Sequence, residues 1–328
     1  MVLTQTQRPN YWSQLAVLLG LIGGGIVISS IVMAIISLVV LVPDGLAGAA
    51  KAEAIQEALL KPENITYAQL FQVFGTFFMM FIPSVAFILI FYKNFLWAGF
   101  SKYVNPAQLV LGFFIMLVAN YFAAPFEDIT KMGLAHFPGI DSVARSAEKM
   151  YTDAIASMSN LQGWGQFVLA VFIVALLPAM FEELLFRGVL QNLLVKWIKK
   201  PVVALIITSL LFSLIHASYY LFISRFVLGY ALGLLFFKTK NIWINIFAHF
   251  MNNLMALSVL FYSNMHKATG AKAADIDPKM PIWSLVITFA ILYGLFVLLD
   301  KVSKENRNRI VLNENLLFNN SPSLAELP

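Results

Sequence analysis

Tyr11 to Pro43 runs without a single charged side chain. A transmembrane helix needs about 20 mostly apolar residues at ~1.5 Å rise each, so this run is longer than one crossing requires. A secretory signal has an apolar core of only about 7–15 residues, and the run reads as a retained span. Similar runs follow: Leu70 to Tyr92, interrupted by Pro83; Gln108 to Phe126; a helix from Trp164 past Phe181 towards Lys196; Pro201 to Ser224; Phe226 to Phe237; Ile242 to Tyr262; and Ile282 to Leu299. The segment after Arg225 is short and must borrow residues from Leu221 onward. Composition agrees with lipid as the solvent: 60% of the 328 residues are hydrophobic and 12% charged, against roughly 45–50% and about 25% in soluble domains. The expected fold class is an all-α integral membrane protein with about eight transmembrane helices and a polar site inside the membrane.

Charge placement checks the count. With both termini cytoplasmic, the inner segments hold 12 basic and 4 acidic residues, and the outer segments 9 basic and 11 acidic. This is the asymmetry that the positive-inside rule demands. Short loops of this kind suit a bacterial plasma membrane. The chain has no cysteine, which excludes disulfides, thiolate zinc sites, iron–sulfur ligation and cysteine nucleophiles. A net charge of +5 with no basic cluster gives no surface for nucleic acid. The domain reading is one multi-span membrane unit over 1–305 and a flexible, polar cytoplasmic tail over 306–328. Gly20, Gly23, Gly24 and Gly25 are expected to mark a close helix contact. Asp141 to Ser159 is expected to lie on the outer surface as an amphipathic helix, with Val143, Met150, Ala154 and Met158 on its apolar side.

The sharpest anomaly is Phe181-Glu182-Glu183-Leu184-Leu185-Phe186-Arg187-Gly188. Each charge at mid-bilayer costs about 2.5–3.5 kcal/mol on insertion scales, so three on one span require compensation. Glu183 and Arg187, four residues apart, can pair on one helix face. Glu182 lies about 100° around the helix and is left out of that pair. The bland alternative is a structural ion pair that locks neighbouring helices. Two further intrusions weigh against it. His216 ends the run Phe212-Ser213-Leu214-Ile215-His216, and His249 and Asn253 share a face of the seventh span. Counted from the basic residues at the cytoplasmic interface, Glu182 lies roughly 21 Å deep, His216 roughly 24 Å, His249 roughly 14 Å and Asn253 roughly 20 Å. One shared pocket is consistent with these depths.

Such a pocket holds the parts of a hydrolase that uses water as its nucleophile. A buried carboxylate can take a proton from water, an imidazole can assist, and an amide NH2 can bind a developing oxyanion. Glu182, His216 and His249 could equally hold a zinc ion, since two His and one carboxylate form a known catalytic set. The sequence leaves both versions open. The remaining histidines, His136 and His266, fall in outer loops and read as surface residues.

The three motifs, Glu182-Glu183-x-x-x-Arg187, Phe212-x-x-x-His216 and His249-x-x-x-Asn253, closely resemble those of the CPBP family, also called Abi or CAAX-protease-like intramembrane proteases. The resemblance covers roughly Trp164 to Tyr262. It implies an all-helical membrane endopeptidase related to the CAAX prenyl endoproteases, with a protein or peptide substrate, at times membrane-associated. Many bacterial members are linked to peptide or bacteriocin processing and self-immunity. Carried over, Glu182 activates water, His216 assists it, and His249 with Asn253 supports the transition state. Glu183, Arg187 and Phe212 take structural, supporting places. The family is labelled metalloprotease, yet a metal-free glutamate mechanism has also been argued for it, so zinc stays an open cofactor.

Other intramembrane protease classes fit poorly. No Glu directly follows a His, which removes the HExxH zinc motif, and no span contains an Asp for an aspartyl dyad. The competing class is an ion- or proton-coupled transporter using the same Glu, His and Asn. Transporters of that kind are often built from internal repeats, and none is visible.

Overall fold

The computed structural model describes residues 9–37, 48–158, 161, 163–266 and 280–318. Among them there is no strand. Seven helices are long and apolar enough to cross a membrane: α1 (Tyr11–Ile36), α3 (Ile65–Phe91), α4 (Pro106–Leu134), α6 (Trp164–Ile198), α8 (Phe222–Thr239), α9 (Ile242–His266) and α10 (Ser284–Phe318). A shorter apolar helix, α7 (Pro201–Leu214), lies between α6 and α8. Two more helices, α2 (Gly48–Leu60) and α5 (Pro138–Met158), are too polar to be spans. The protein is an all-α integral membrane protein.

Tryptophans mark the ends of the spans. Trp12 at the start of α1 meets Trp197 at the end of α6, their rings 4.4 Å apart and edge to face. Trp243 stands at the start of α9, while Trp164 and Trp283 sit at the opposite ends of α6 and α10. Indole prefers the membrane–water boundary, so this placement defines two aromatic levels.

Two spans carry widened turns directly before a proline. A π-helical stretch, Phe77–Phe81, precedes Pro83 in α3, and another, Val171–Leu176, precedes Pro178 in α6. A proline ring clashes with the carbonyl four residues earlier, and opening the turn relieves that clash without ending the helix. A third π stretch, Leu184–Gln191, follows the acidic pair in α6 and includes Arg187. Such insertions concentrate at functional sites.

The core forms where α1, α3 and α6 meet the loop after α3. Tyr92 and Trp97 stack at 3.7 Å and are enclosed by Phe87, Phe186 and Phe236. Gly99, at φ +87°, closes this loop, and a β-carbon there would strike the Phe236 ring. Of the four glycines in α1 only Gly25 makes the expected close approach, against the backbone of Phe78; Gly20, Gly23 and Gly24 face open space. The π turn of α3 brings the Phe78 carbonyl to α1 at that one level.

Three further expectations change. The fifth span was read to Ser224, but α7 stops at Leu214. Its length is about 21 Å, short of a bilayer's ~30 Å core. Ala217 adopts a left-handed conformation at φ 51°, which no helix continues. His216 therefore lies in a turn beyond the helix, and α8 does borrow from the preceding segment, starting at Phe222. The flexible tail was read from 306, but residues 306–318 continue α10. Ile310 and Phe318 are buried, and Glu314 between them pairs with Lys196 at 2.7 Å. Spaced by four, these three share a helix face that the Asn-rich composition concealed; residues 319–328 lie outside the described ones. Finally, α5 is helical as expected, with Val143 and Met150 exposed. The side chains of Ala154 and Met158, residue Ser159 and the side chain of His266 lie outside the described ones. His136 is exposed, its Nδ1 2.9 Å from the Met132 carbonyl.

Candidate active site

Helix α6 supplies the carboxylates. Burial of Glu183 and Arg187 is complete, and the two sit 3.1 Å apart as the sequence spacing requires. Arg187 Nη2 also donates to the Gly229 carbonyl at 3.0 Å, and its guanidinium lies over the Phe212 ring at 4.6 Å. One turn on, Gln191 Nε2 donates to the Gly233 carbonyl at 2.9 Å. Gly229 and Gly233 thus present bare backbone to α6, in the small-x-x-x-small pattern that lets membrane helices approach. The sequence reading passed over Gly229-x-x-x-Gly233, although its spacing was legible.

Glu183 is held from α9 as well as by Arg187. Its Oε1 accepts from His249 Nδ1 at 2.8 Å, and its Oε2 accepts from Asn245 Nδ2 at 3.1 Å. Asn245 also reaches the Leu232 carbonyl at 2.7 Å. Asn245, His249 and Asn253 recur every four residues along one face of α9, and only the last two were singled out from sequence. A carboxylate held by Arg187 and Asn245 can only accept, so His249 carries its proton on Nδ1 and presents a bare Nε2.

His216 reaches the same tautomer by another route. Its Nδ1 lies 2.7 Å from the Phe212 carbonyl, which cannot donate, so Nδ1 carries the hydrogen and Nε2 is again bare. Phe212 is the spacer: its ring lies 4.8 Å from the His216 ring and 6.0 Å from that of His249. Against it sits Gly229, where a β-carbon would come within 3.0 Å of the Phe212 ring.

Both bare nitrogens face Glu182. Its Oε2 lies 4.0 Å from His216 Nε2 and 3.9 Å from His249 Nε2, and this buried oxygen has no hydrogen-bond partner. Three acceptors thus converge with no donor between them, at separations suited to a bridging donor such as water. His216 is the open side of the group, its side chain 25% exposed against 7% for His249. Asn253 lies one turn beyond His249, its Nδ2 3.4 Å from the Ala175 carbonyl, a long and weak bond that leaves the amide available.

Zinc prefers ligands of this chemistry, but at about 2.0–2.2 Å per bond a tetrahedral site holds them about 3.3–3.6 Å apart. The two measured separations are wider, and among the described residues no group of three His, Asp or Glu is arranged to hold a metal ion. The side chains as placed do not make a zinc site.

Outside the spans, one polar cluster borders the site. Asp141 on α5 accepts from the Tyr220 hydroxyl at 2.7 Å and from Arg145 at 2.8 Å. The Tyr220 hydrogen bond, then the arginine, holds the Asp141 carboxyl below the usual carboxylate range. The same bond, together with burial, pushes the Tyr220 hydroxyl up.

Residues 164–255 match the family of Rce1-like type II CAAX prenyl endopeptidases, a segment that runs from the start of α6 to two residues past Asn253. No curated protein and no solved structure matches the chain. The matched segment is less than a third of the chain, yet it contains Glu182, Glu183, Arg187, His216, His249 and Asn253. Over 164–255 the chain is thus similar to the Rce1-like CAAX prenyl endopeptidases of the CPBP family, which supports the resemblance carried by the three motifs.

Proposed function

We propose that this chain is an intramembrane endopeptidase that hydrolyses a peptide bond with water activated by Glu182. The observation that carries the reading is the partnerless Glu182 Oε2 facing two bare imidazole nitrogens at 3.9 and 4.0 Å. A water placed there donates one hydrogen to Glu182 and the other to an Nε2, which raises the electron density on its oxygen. As that oxygen bonds to the scissile carbonyl carbon, its proton passes to Glu182. When the carbon–nitrogen bond breaks, Glu182 returns the proton to the leaving amine. Asn253 is the donor for the oxyanion. Glu183 holds His249 in the required tautomer, and Arg187 balances the charge of Glu183.

The substrate is a protein or peptide that reaches the site through the bilayer or its surface, of the CAAX-like or peptide-processing kind. Termini facing the cytoplasm would put Glu182 roughly 21 Å from that interface, nearer the outer side of a ~30 Å core. The test is comparative peptidomics of membranes carrying wild type or Glu182→Gln at matched levels. New protein termini seen only with wild type support the reading, and identical profiles from two well-folded proteins refute it. Elemental analysis of the same purified protein addresses the metal. We expect zinc far below one ion per chain. Near-stoichiometric zinc that is lost in a His216→Ala, His249→Ala variant would overturn metal-free chemistry.

A further inference from the structure

His216 differs from the other site residues in its support. Glu182, Glu183 and Arg187 are carried by α6, and Asn245, His249 and Asn253 by α9, all within helix. His216 stands two residues past the end of α7, in a turn whose next residue, Ala217, is held in the left-handed region at φ 51°. A residue with a β-carbon does not rest there by preference. Something outside the turn must fix it.

The restraint comes from α5 and the first turn of α8. Arg225 Nη1 donates to the His216 carbonyl at 3.2 Å, and the same guanidinium lies 4.4 Å from the Tyr151 ring of α5. Ser218 Oγ donates to Glu148 Oε2 of α5 at 2.6 Å, and Tyr220 donates to Asp141 of α5 at 2.7 Å. Ser213 Oγ donates to the Phe222 carbonyl at 2.6 Å and closes the base of the turn. Along α5 the four residues that face the turn or are buried beside it are Asp141, Ala144, Glu148 and Tyr151, spaced as one helix face. Away from that face Val143 and Met150 are exposed, among Ser142, Ser146 and Lys149.

We infer that α5 sets the working position of His216, with Arg225 as the positioning residue that transmits it. Arg225 touches both partners, the catalytic turn and α5, and none of the motifs contains it. The catalytic consequence rests on the hydrolase reading; the mechanical link does not.

The full-length protein in lipid nanodiscs allows both to be read separately, by amide hydrogen exchange over 215–221 and by kcat and KM on a peptide spanning a cleavage site found by the comparative peptidomics. Arg225→Gln is expected to speed exchange in that turn about tenfold while α6 and α9 keep their protection. It should lower kcat about tenfold with KM little changed, the signature of a misplaced catalytic group. Arg225→Lys, which keeps a donor for the carbonyl, should recover most of both. If Arg225→Gln fails to fold, the Ser218→Ala, Tyr220→Phe pair releases α5 by removing two hydroxyls and carries the same expectations. Unchanged exchange in the turn overturns the inference, as does a loosened turn with wild-type kcat. If wild type cleaves nothing and the turn still loosens, the hydrolase reading falls and the link from α5 stands.

Discussion

Glu182 and Glu183 are consecutive in sequence and opposite in circumstance. Glu183 is fully buried, and both its oxygens are engaged, by Arg187, His249 and Asn245. Glu182 is almost as buried, at 7% exposure, yet its Oε2 has no partner. A helix turns about 100° per residue, so neighbours face different walls. One wall of α6 meets α8 and α9, where glycines and an asparagine let both oxygens of Glu183 find partners. The next opens towards His216, at the edge of the helical frame. Burying a charge is tolerable when it is paired, and leaving a carboxylate oxygen buried and unpaired costs free energy. In the proposed reading the closed half supplies fold and orientation, and the open half is where a substrate and water enter.

Substitutions can break this contrast. The largest effect expected is on turnover: Glu182→Gln should reduce it by about a thousandfold or more, with folded yield and detergent stability near wild type, as measured by initial rates and thermal unfolding. Arg187→Ala should do the reverse first, lowering stability by about 3–5 kcal/mol because Glu183 is left as an unpaired buried charge. If Arg187→Ala is harmless and Glu182→Gln misfolds, the two carboxylates have been assigned to the wrong halves.

The smallest effect concerns the rim. Asp141 has its carboxyl pKa depressed, so its stabilising contribution is present above the unfolded value of about 4 and lost as pH falls through the folded one. The α5 contact should therefore hold at neutral and mildly acidic pH and loosen only in strong acid. Exchange in 215–221, corrected for intrinsic rates, should rise a few-fold below about pH 4 in wild type. Asp141→Asn should remove that part of the dependence. Arg145, Tyr220 and Lys131 stay protonated throughout that range, and Glu148, which accepts from Ser218, is the second carboxylate of the contact.

Much of this molecule was legible in the sequence because lipid imposes simple rules. A span must be apolar and about 20 residues long, so the runs in the sequence correspond to α1, α3, α4, α6, α9 and α10. Charges in such runs are conspicuous, and Glu182, Glu183, Arg187, His216 and His249 do form one group. Legibility failed where local chemistry overrides hydropathy. Pro201 to Ser224 is apolar enough for a span, but the left-handed Ala217 and the hydroxyls of Ser213 and Ser218 make a turn there. The tail from 306 looked too polar to pack, yet Ile310, Glu314 and Phe318 fall on one face.

The sequence by itself determined that the chain lives in a membrane, which residues carry charge into it, and that Glu183 and Arg187 pair, because these follow from hydropathy and helical spacing alone. Only the tertiary structure decided the rest: that Glu183 orients His249, that Asn245 belongs to the same knot, and that Arg225 and α5 hold the turn of His216. Those contacts join residues 9 to 79 positions apart, and no local period encodes the distance between separate helices.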